Sequence, residues 1–527
     1  MFKFSQLVSR ACKPISLEQL LQSNCICQKI LGYQLSSSSS SSQKKRRSSK
    51  QRSTSRKKFS GPEVTGSNST MQDESVPCIA EDKNLSSMSQ SCSTNSSVPS
   101  GQETNARRDF EEIHFASDIN KMGSTSDQSK GTLFTFMSYN ILAQDLLQTH
   151  PYLYKSCNPK HLEWKFRLDR LASEILAIRP DILCLQEVQQ NHIPSILKAL
   201  SALNFEHIFK KKTGMKTDGC AILYNKNVFD LVEKHTVEYY QPNVRYLDRE
   251  NVALIAKLCL KQQPSSCFIA STTHLLYNPR RQDVRLAQIQ LLLAELDHIS
   301  FKGFDCQGKI RRLPILLSGD FNLKPHSAPY NLLTQGNLAY HNLTQRTLEP
   351  PTDANLATTG HIFLPSELGI NDNCQHYDVV SQSYKGQARI QNTDKNRMLD
   401  ENRDFSNKNP DEKDPHNLFA TGQLRHALNL VSVYDHHNRS EATTFQDKWV
   451  TVDYIFYSQH FSPSVDSDYD GYLILQSRYS LPSKKDCYKM NLVIPNAYLG
   501  SDHLSLAGRF YFQGPKSNGK ECVPKDK

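Results

Sequence analysis

The 527-residue sequence is poor in apolar side chains. Hydrophobic residues make up 38% of it, against roughly 45–50% in ordinary globular chains. A substantial part of the polypeptide is therefore expected to stay out of any core. No apolar run approaches the ~18 residues of a membrane span, and the N-terminus lacks a signal-peptide core, so no membrane association and an intracellular address are expected. Cysteine is present fourteen times, but without C-x-x-C pairs or zinc-finger spacing. That excludes a zinc module and a disulfide scaffold, and reduced thiols are expected. Acid is missing from residues 43–60, which carry nine Lys or Arg, and without that stretch the formal net charge of +10 falls almost to zero. Bulk charge is thus silent about any catalytic part. The basic stretch reads as a nuclear-localisation or nucleic-acid contact element, or as a solvated linker. Residues 1–17 hold Lys3, Arg10 and Lys13 with no acid, which leaves a mitochondrial transit segment as an alternative to cytoplasm or nucleus. No internal repeat is present. Gly303–Lys309 falls short of a phosphate-binding loop because Ile310 stands where Ser or Thr is required, so a surface loop is expected there.

What is there begins at Thr132. Upstream, residues 1–130 are dominated by Ser, Thr, Asn, Gln and charge, with seven consecutive serines at 36–42; such a segment buries too little apolar surface to offset chain ordering and is expected to be a disordered tail. TLFTFMSYNIL then reads as a strand. Trp164, Leu168, Leu171, Ile175 and Ile178 recur at helical spacing, and Arg179-Pro180 ends that helix. DILCLQE, DGCAILYN, NVALIAKLCL, CFIASTTHL, LPILLSGDFN, TVDYIFYS and GRFYF read as further strands, with a helix over about Arg281–Leu296. Strands mixed with a few helices over residues 131–513 predict an α/β sandwich rather than a doubly wound nucleotide fold. Residues 350–420 are nearly devoid of apolar side chains in their centre and predict a flexible insertion; 514–527 is a short tail.

Polar residues gather at the carboxyl ends of these apolar runs. Asn140 closes TFMSYN, Glu187 closes ILCLQE, His274 closes FIASTTH, and Asp320 with Asn322 closes ILLSGDFN. Asp453 interrupts TVDYIF, and Asp502-His503 precedes LSLAGRFYF. Any one of these also suits a turn. Together they make a coherent set of hard oxygen ligands, suited to Mg²⁺ or Mn²⁺ rather than zinc, with two histidines beside acids. That is equipment for phosphate ester hydrolysis.

SYNILAQ, LQEV, THL, GDFN, TVDYIFYS and SDH, in that order, resemble the exonuclease/endonuclease/phosphatase superfamily. SYNILAQ is similar to its nocturnin and Angel branch, and with RPDILCLQEV and PNAYLGSDHLSLAGRF the resemblance is to vertebrate Angel proteins, the second paralogue in particular. It implies a four-layer α/β sandwich. It also implies that Glu187 binds Mg²⁺ (or Mn²⁺) with Asn140 and Asp502 in the metal shell, and that His274 contacts phosphate. Asp320 would activate water, Asn322 hold a phosphate oxygen, and Asp453 orient His503. Cys184, Trp164 and Leu168 read as core, while Asp218 could be a turn residue or a contact.

On the substrate side, Asn251 resembles a family contact or caps a strand start. Pro279 keeps the position of an adenine-side proline, although Asn278 replaces the Asp before it. Lys448 stands where poly(A)-specific members place an aromatic ring, so the stacking contribution of ~1–3 kcal/mol per base is missing. The Angel resemblance implies hydrolysis of a terminal 2′,3′-cyclic phosphate to 2′ and 3′ hydroxyls. The alternatives are a 3′ exoribonuclease or deadenylase, and an inactive RNA- or cap-factor-binding adaptor. RNA 3′ ends, with RNA-processing or translation-factor partners, are the expected company.

Overall fold

The computed structural model describes residues 108–113, 131–304, 310–377, 379–380, 418–436, 441–445, 447–459 and 470–515. Most of the expected tails, the basic stretch 43–60, the loop 305–309 and the centre of the expected insertion, 381–417, lie outside the described residues.

Two sheets dominate. The first has seven strands: β1 (Phe110–Glu112), β2 (Thr132–Asn140), β3 (Ile182–Gln189), β4 (Phe205–Lys211), β5 (Asp218–Asn225), β12 (Tyr472–Tyr479) and β13 (Leu506–Gln513). Their order is β1-β12-β13-β2-β3-β5-β4. The second has six: β6 (Phe229–Glu238), β7 (Val252–Leu260), β8 (Gln263–His274), β9 (Ile315–Asp320), β10 (Leu430–Ser432) and β11 (Asp453–Ser458), ordered β10-β11-β9-β8-β7-β6.

Strand alternation assigns each face. On β2, Phe134 and Phe136 join the core shared with the second sheet, whereas Met137 and Tyr139 belong to the core on the outer face. Ile182 and Cys184 on β3 face inward in the same way, and Leu183 and Leu185 outward. Phe134 stacks on Phe268 of β8 at 5.3 Å between centroids, which ties the sheets together. The outer face of the first sheet is covered by α2 (Trp164–Ile178) and α3 (Ile193–Ala199), through Leu171, Ile175 and Ile196; α1 (Gln144–Thr149) follows β2. The second sheet is covered by α4 (Gln282–Ser300) and α5 (Ala328–Gln335), through Leu286, Ile289, Leu293 and Leu332. The layers are helix, sheet, sheet and helix, the sandwich the sequence predicts. Arg179 ends α2 in the left-handed region, φ 53°, just before Pro180. Among the described residues, no helix is long and apolar enough to cross a membrane.

Three expectations need correction. β1 lies inside the segment assigned to the tail: it pairs with β12, and buried Arg108 beside it donates to the carbonyl of Ser480 at 2.8 Å and contacts Glu174 at 3.3 Å. A three-residue strand is too short to announce itself in a polar sequence. The start of the expected insertion is not loose either, because Phe363, Leu364, Ile370 and Cys374 are buried in the core over α4. These apolar residues are thinly spaced, so composition hides them. Finally, Cys259 and Cys267 are opposite one another on β7 and β8 and form a disulfide, whereas Cys157, Cys184, Cys220, Cys374 and Cys487 are free and buried. Cross-strand register, invisible as sequence spacing, brings the pair together.

Arg108→Ala removes the cation beside the largely enclosed side chain of Glu174. We expect it to lower the free energy of unfolding by about 3 kcal/mol, measured from the urea midpoint.

Candidate active site

β2 and β3 run parallel, as do β8 and β9, so Asn140 and Glu187 come to one end of the first sheet and His274 and Asp320 to the same end of the second. β11 runs antiparallel to β9, which sets Asp453 opposite Asp320. β13 is antiparallel to β2, so the residues just before it, Asp502 and His503, arrive beside Asn140. Topology alone therefore gathers seven of the expected residues.

Glu187 is aimed by a bulge. Between Leu185 and Val188, β3 spends one residue more than its partner β5, and Glu187 adopts φ 59°. Simple alternation would send its side chain outward after Leu183 and Leu185; the bulge hands that position to Val188 and turns Glu187 into the cluster. The Asn140 amide donates to Glu187 Oε1 and to Asp320 Oδ2, each at 3.1 Å, while the Ala143 N–H donates to Glu187 Oε2 at 2.9 Å. His503 Nδ1 lies 2.9 and 3.1 Å from the carboxylate oxygens of Asp453, and its Nε2 is 3.8 Å from Asp320.

Electrostatics follows from packing several charges in a dry place. Burial, with Asp453 and Glu187 adding to it, pushes the Asp320 carboxyl up to about 7 against the pull of His503 and the Asn322 N–H. Burial, Asp218 and Asp502 likewise raise Glu187. Burial works against charge on His503, yet Asp453, Asp502 and Asp320 prevail and hold it well above its ordinary value. His274 is 3.6 Å from Asp320 and 4.0 Å from Glu187, but burial, Lys212 and His503 hold it well below its ordinary value. Those separations are accordingly contacts of a neutral ring. Lys212 Nζ donates to its Nδ1 at 3.4 Å, which assigns the ring proton to Nε2.

The remaining expected residues sit around this cluster. The Asn322 side chain donates to the Leu275 carbonyl at 3.1 Å and its N–H to Asp320 at 3.0 Å, with φ 53°. Asp502 accepts from the Tyr154 hydroxyl at 2.8 Å. The Asn251 amide donates to the His274 carbonyl at 3.0 Å and accepts from Gln288 at 3.2 Å, so it holds the end of β8. Pro279 is exposed in the loop after His274. Lys448 is exposed in a hairpin whose Thr444 bridges to His503.

Several participants escape sequence reasoning. Lys212 lies 2.6 Å from Asp218, a charge contact rather than an aligned hydrogen bond, and it is buried although it sits in a lysine triplet that looks like solvated surface. Burial opposes its charge, but Asp218 and Glu187 raise its pKa. Arg167 is fully buried and donates to the carbonyls of Ile141, Leu142 and Gly500 at 2.8–3.0 Å. Its signal is visible in retrospect, a charge on the apolar stripe of α2. Arg285 of α4 similarly gathers the carbonyls of Leu276, Tyr277, Asn278 and Pro279.

Glu187, His274 and Asp320 form one group able to hold a divalent metal, and Asp320, Asp453 and His503 another. The donor set fits: its carboxylates are buried and mutually repelling, and Lys212, the lysine among them, is already paired with Asp218.

A family model described as Endonuclease/Exonuclease/phosphatase family matches residues 137–503. Protein angel homolog 2 of Danio rerio is 36% identical over 394 residues, covering 72% of this chain and 64% of that protein. Protein angel homolog 2 of Homo sapiens is 33% identical, covering 76% and 73%. The chain belongs to the Angel branch of the endonuclease/exonuclease/phosphatase family. Protein angel homolog 1 of Rattus norvegicus is 35% identical, so identity alone does not separate the Angel paralogues. The chain spans just under two thirds of the length of the Danio rerio and Rattus norvegicus Angel relatives, 64% and 63%. Among solved structures, ANGEL2, a 2′,3′-cyclic phosphatase in complex with adenosine-2′,3′-vanadate, is 30% identical with a TM-score of 0.59, covering 77% of this Angel-branch chain and 99% of that one.

Lys212→Met is expected to destabilise the fold by about 3 kcal/mol by stranding Asp218, and Lys212→Met with Asp218→Leu to recover much of that loss. Chemical denaturation of both variants checks this.

Proposed function

We propose that this chain is a metal-dependent RNA phosphoesterase that converts a terminal 2′,3′-cyclic phosphate into 2′ and 3′ hydroxyls. The observation that carries it is the similarity to a solved 2′,3′-cyclic phosphatase over 77% of this chain and 99% of that one, with the buried acid, amide and imidazole cluster at one end of both sheets. The deadenylase reading is disfavoured by Lys448, a solvated cation where a ring would stack on adenine. A cytoplasmic or nuclear address accords with the basic stretch at 43–60.

In this reading Glu187, with Asn140 and Asp502 around it, would hold Mg²⁺ or Mn²⁺. The chemistry such an ion would supply there is neutralisation of phosphate charge. Asp320 accepts the proton of the attacking water. The first water opens the cyclic diester to a monoester, and a second releases inorganic phosphate and leaves the diol. Asp453 fixes the ring of His503 so that its Nε2–H faces the reacting phosphate, where a cation stabilises the developing charge. His274 Nε2–H and the Asn322 amide offer further donors to phosphate oxygens. None of this reads a base. Asn251, Pro279 and Lys448 shape the approach of the terminal nucleoside.

Matched RNAs ending in cyclic phosphate, linear phosphate or hydroxyl provide the test. Cyclic ends are expected to be converted without shortening, only with Mg²⁺ or Mn²⁺ present and regardless of the terminal base. Stepwise removal of adenosines with cyclic ends untouched would establish the deadenylase instead.

Glu187→Gln is expected to lower kcat by about 100-fold or more. The metal-free variant should unfold no earlier than the metal-free parent, because a raised, buried carboxyl is a burden on the fold. Single-turnover kinetics and thermal unfolding read the two effects separately.

A further inference from the structure

A second cluster lies on the other side of the sheet that carries His274. Glu295 and His298 are three residues apart on α4, on one face of the helix. They lie about 20 Å along it from its start near the catalytic loop. His235 comes from β6, and His376 from the segment whose Phe363 and Cys374 pack over α4. Glu295 Oε2 is 2.9 Å from His235 Nε2, and Oε1 is 3.1 Å from His376 Nε2. The rings of His298 and His376 are 5.5 Å apart. One donor atom each from Glu295, His298 and His376 lies within 4.8 Å of the others.

Both His235 and His376 stand at ion-pair distance from Glu295, but ion pairing leaves His298 and the aim of the His376 ring unexplained. His376 Nε2 is enclosed and makes no aligned hydrogen bond despite its 3.1 Å approach to the carboxylate. The ring nitrogen points past the oxygen, as ligands do when they converge on a common point instead of on one another. His298 brings a second imidazole to that point from an exposed position open to solvent. In a tetrahedral zinc shell, bonds of about 2.0–2.2 Å put ligand atoms roughly 3.4 Å apart, a closure that side-chain rotation supplies from 4.8 Å.

We propose that Glu295, His298 and His376 form a zinc-class metal site with a fourth position open to water. His235 orients the carboxylate through Oε2 as an outer-shell partner. Two imidazoles with one carboxylate select zinc, whereas the oxygen-rich catalytic cluster selects Mg²⁺. The bound ion clips the segment around His376 to α4, and it does so independently of the phosphoesterase reading.

The experiment uses the full chain, stripped with chelator, held in excess Mg²⁺ and titrated with zinc alone. Bound zinc is counted by elemental analysis after dialysis, and cobalt replaces zinc for a visible spectrum. We expect one zinc per chain, a tetrahedral cobalt spectrum and a zinc-dependent rise in Tm, all retained by Glu187→Gln. His298→Ala, at an exposed position that cannot collapse the fold, is expected to lose zinc affinity by about 100-fold or more with Mg²⁺-supported turnover unchanged. His376→Ala should behave alike. Wild-type zinc binding by His298→Ala, loss of zinc in Glu187→Gln, or no retained zinc in the parent would each overturn the site.

Discussion

The amide of Asn140 is the contact on which the catalytic end depends. Its two N–H bonds go to carboxylates from opposite sheets, Glu187 on β3 and Asp320 on β9, and its oxygen accepts from the Leu142 N–H. Two buried acids brought together repel. A neutral group with two donors lets them approach without cancelling the negative field that a cation needs. The same layer continues inward, where Gln186 donates to Thr272 of the other sheet at 2.8 Å and to Ser138 at 3.2 Å. The sheets are glued by apolar packing through most of their overlap and by hydrogen bonds where the chemistry sits.

That arrangement explains why stability and function pull apart here. Phe134 and Phe268 gain by leaving water, and nothing about their contact needs a special angle. Glu187 is the reverse case: a carboxyl kept dry and held on a left-handed backbone that a non-glycine residue seldom adopts. The surrounding strands over-determine this conformation, which is where strain of that kind persists.

Much of the design was legible in the sequence because parallel strands and apolar runs carry their signal locally. Asn140, Glu187, His274, Asp320, Asp453 and His503 all lie at ends of strand-like runs, and the topology that joins those ends is a consequence of a sandwich. What could not be read depends on register or long-range burial. The bulge at Glu187 is an extra residue relative to β5, which no single-strand pattern reveals. Asn251 reads as a substrate-side contact or a strand-start cap, and the bonds of its amide to the His274 carbonyl and to Gln288 follow from neither reading. Lys212 is indistinguishable in sequence from Lys210 and Lys211, and only the fold buries it against Asp218. The apolar residues of 363–374 are diluted by polar neighbours, so a composition rule assigns them to solvent.

Arg167 and Arg285 have a consequence for binding. Each buried guanidinium draws in the carbonyls of a catalytic-end loop, one around Ile141, Leu142 and Gly500, the other from Leu276 to Pro279. Loops fixed in this way lose their conformational entropy when the protein folds, not when a ligand arrives. A ligand arriving at this end therefore meets a mould already cast, and its capture needs no closing motion of these two loops.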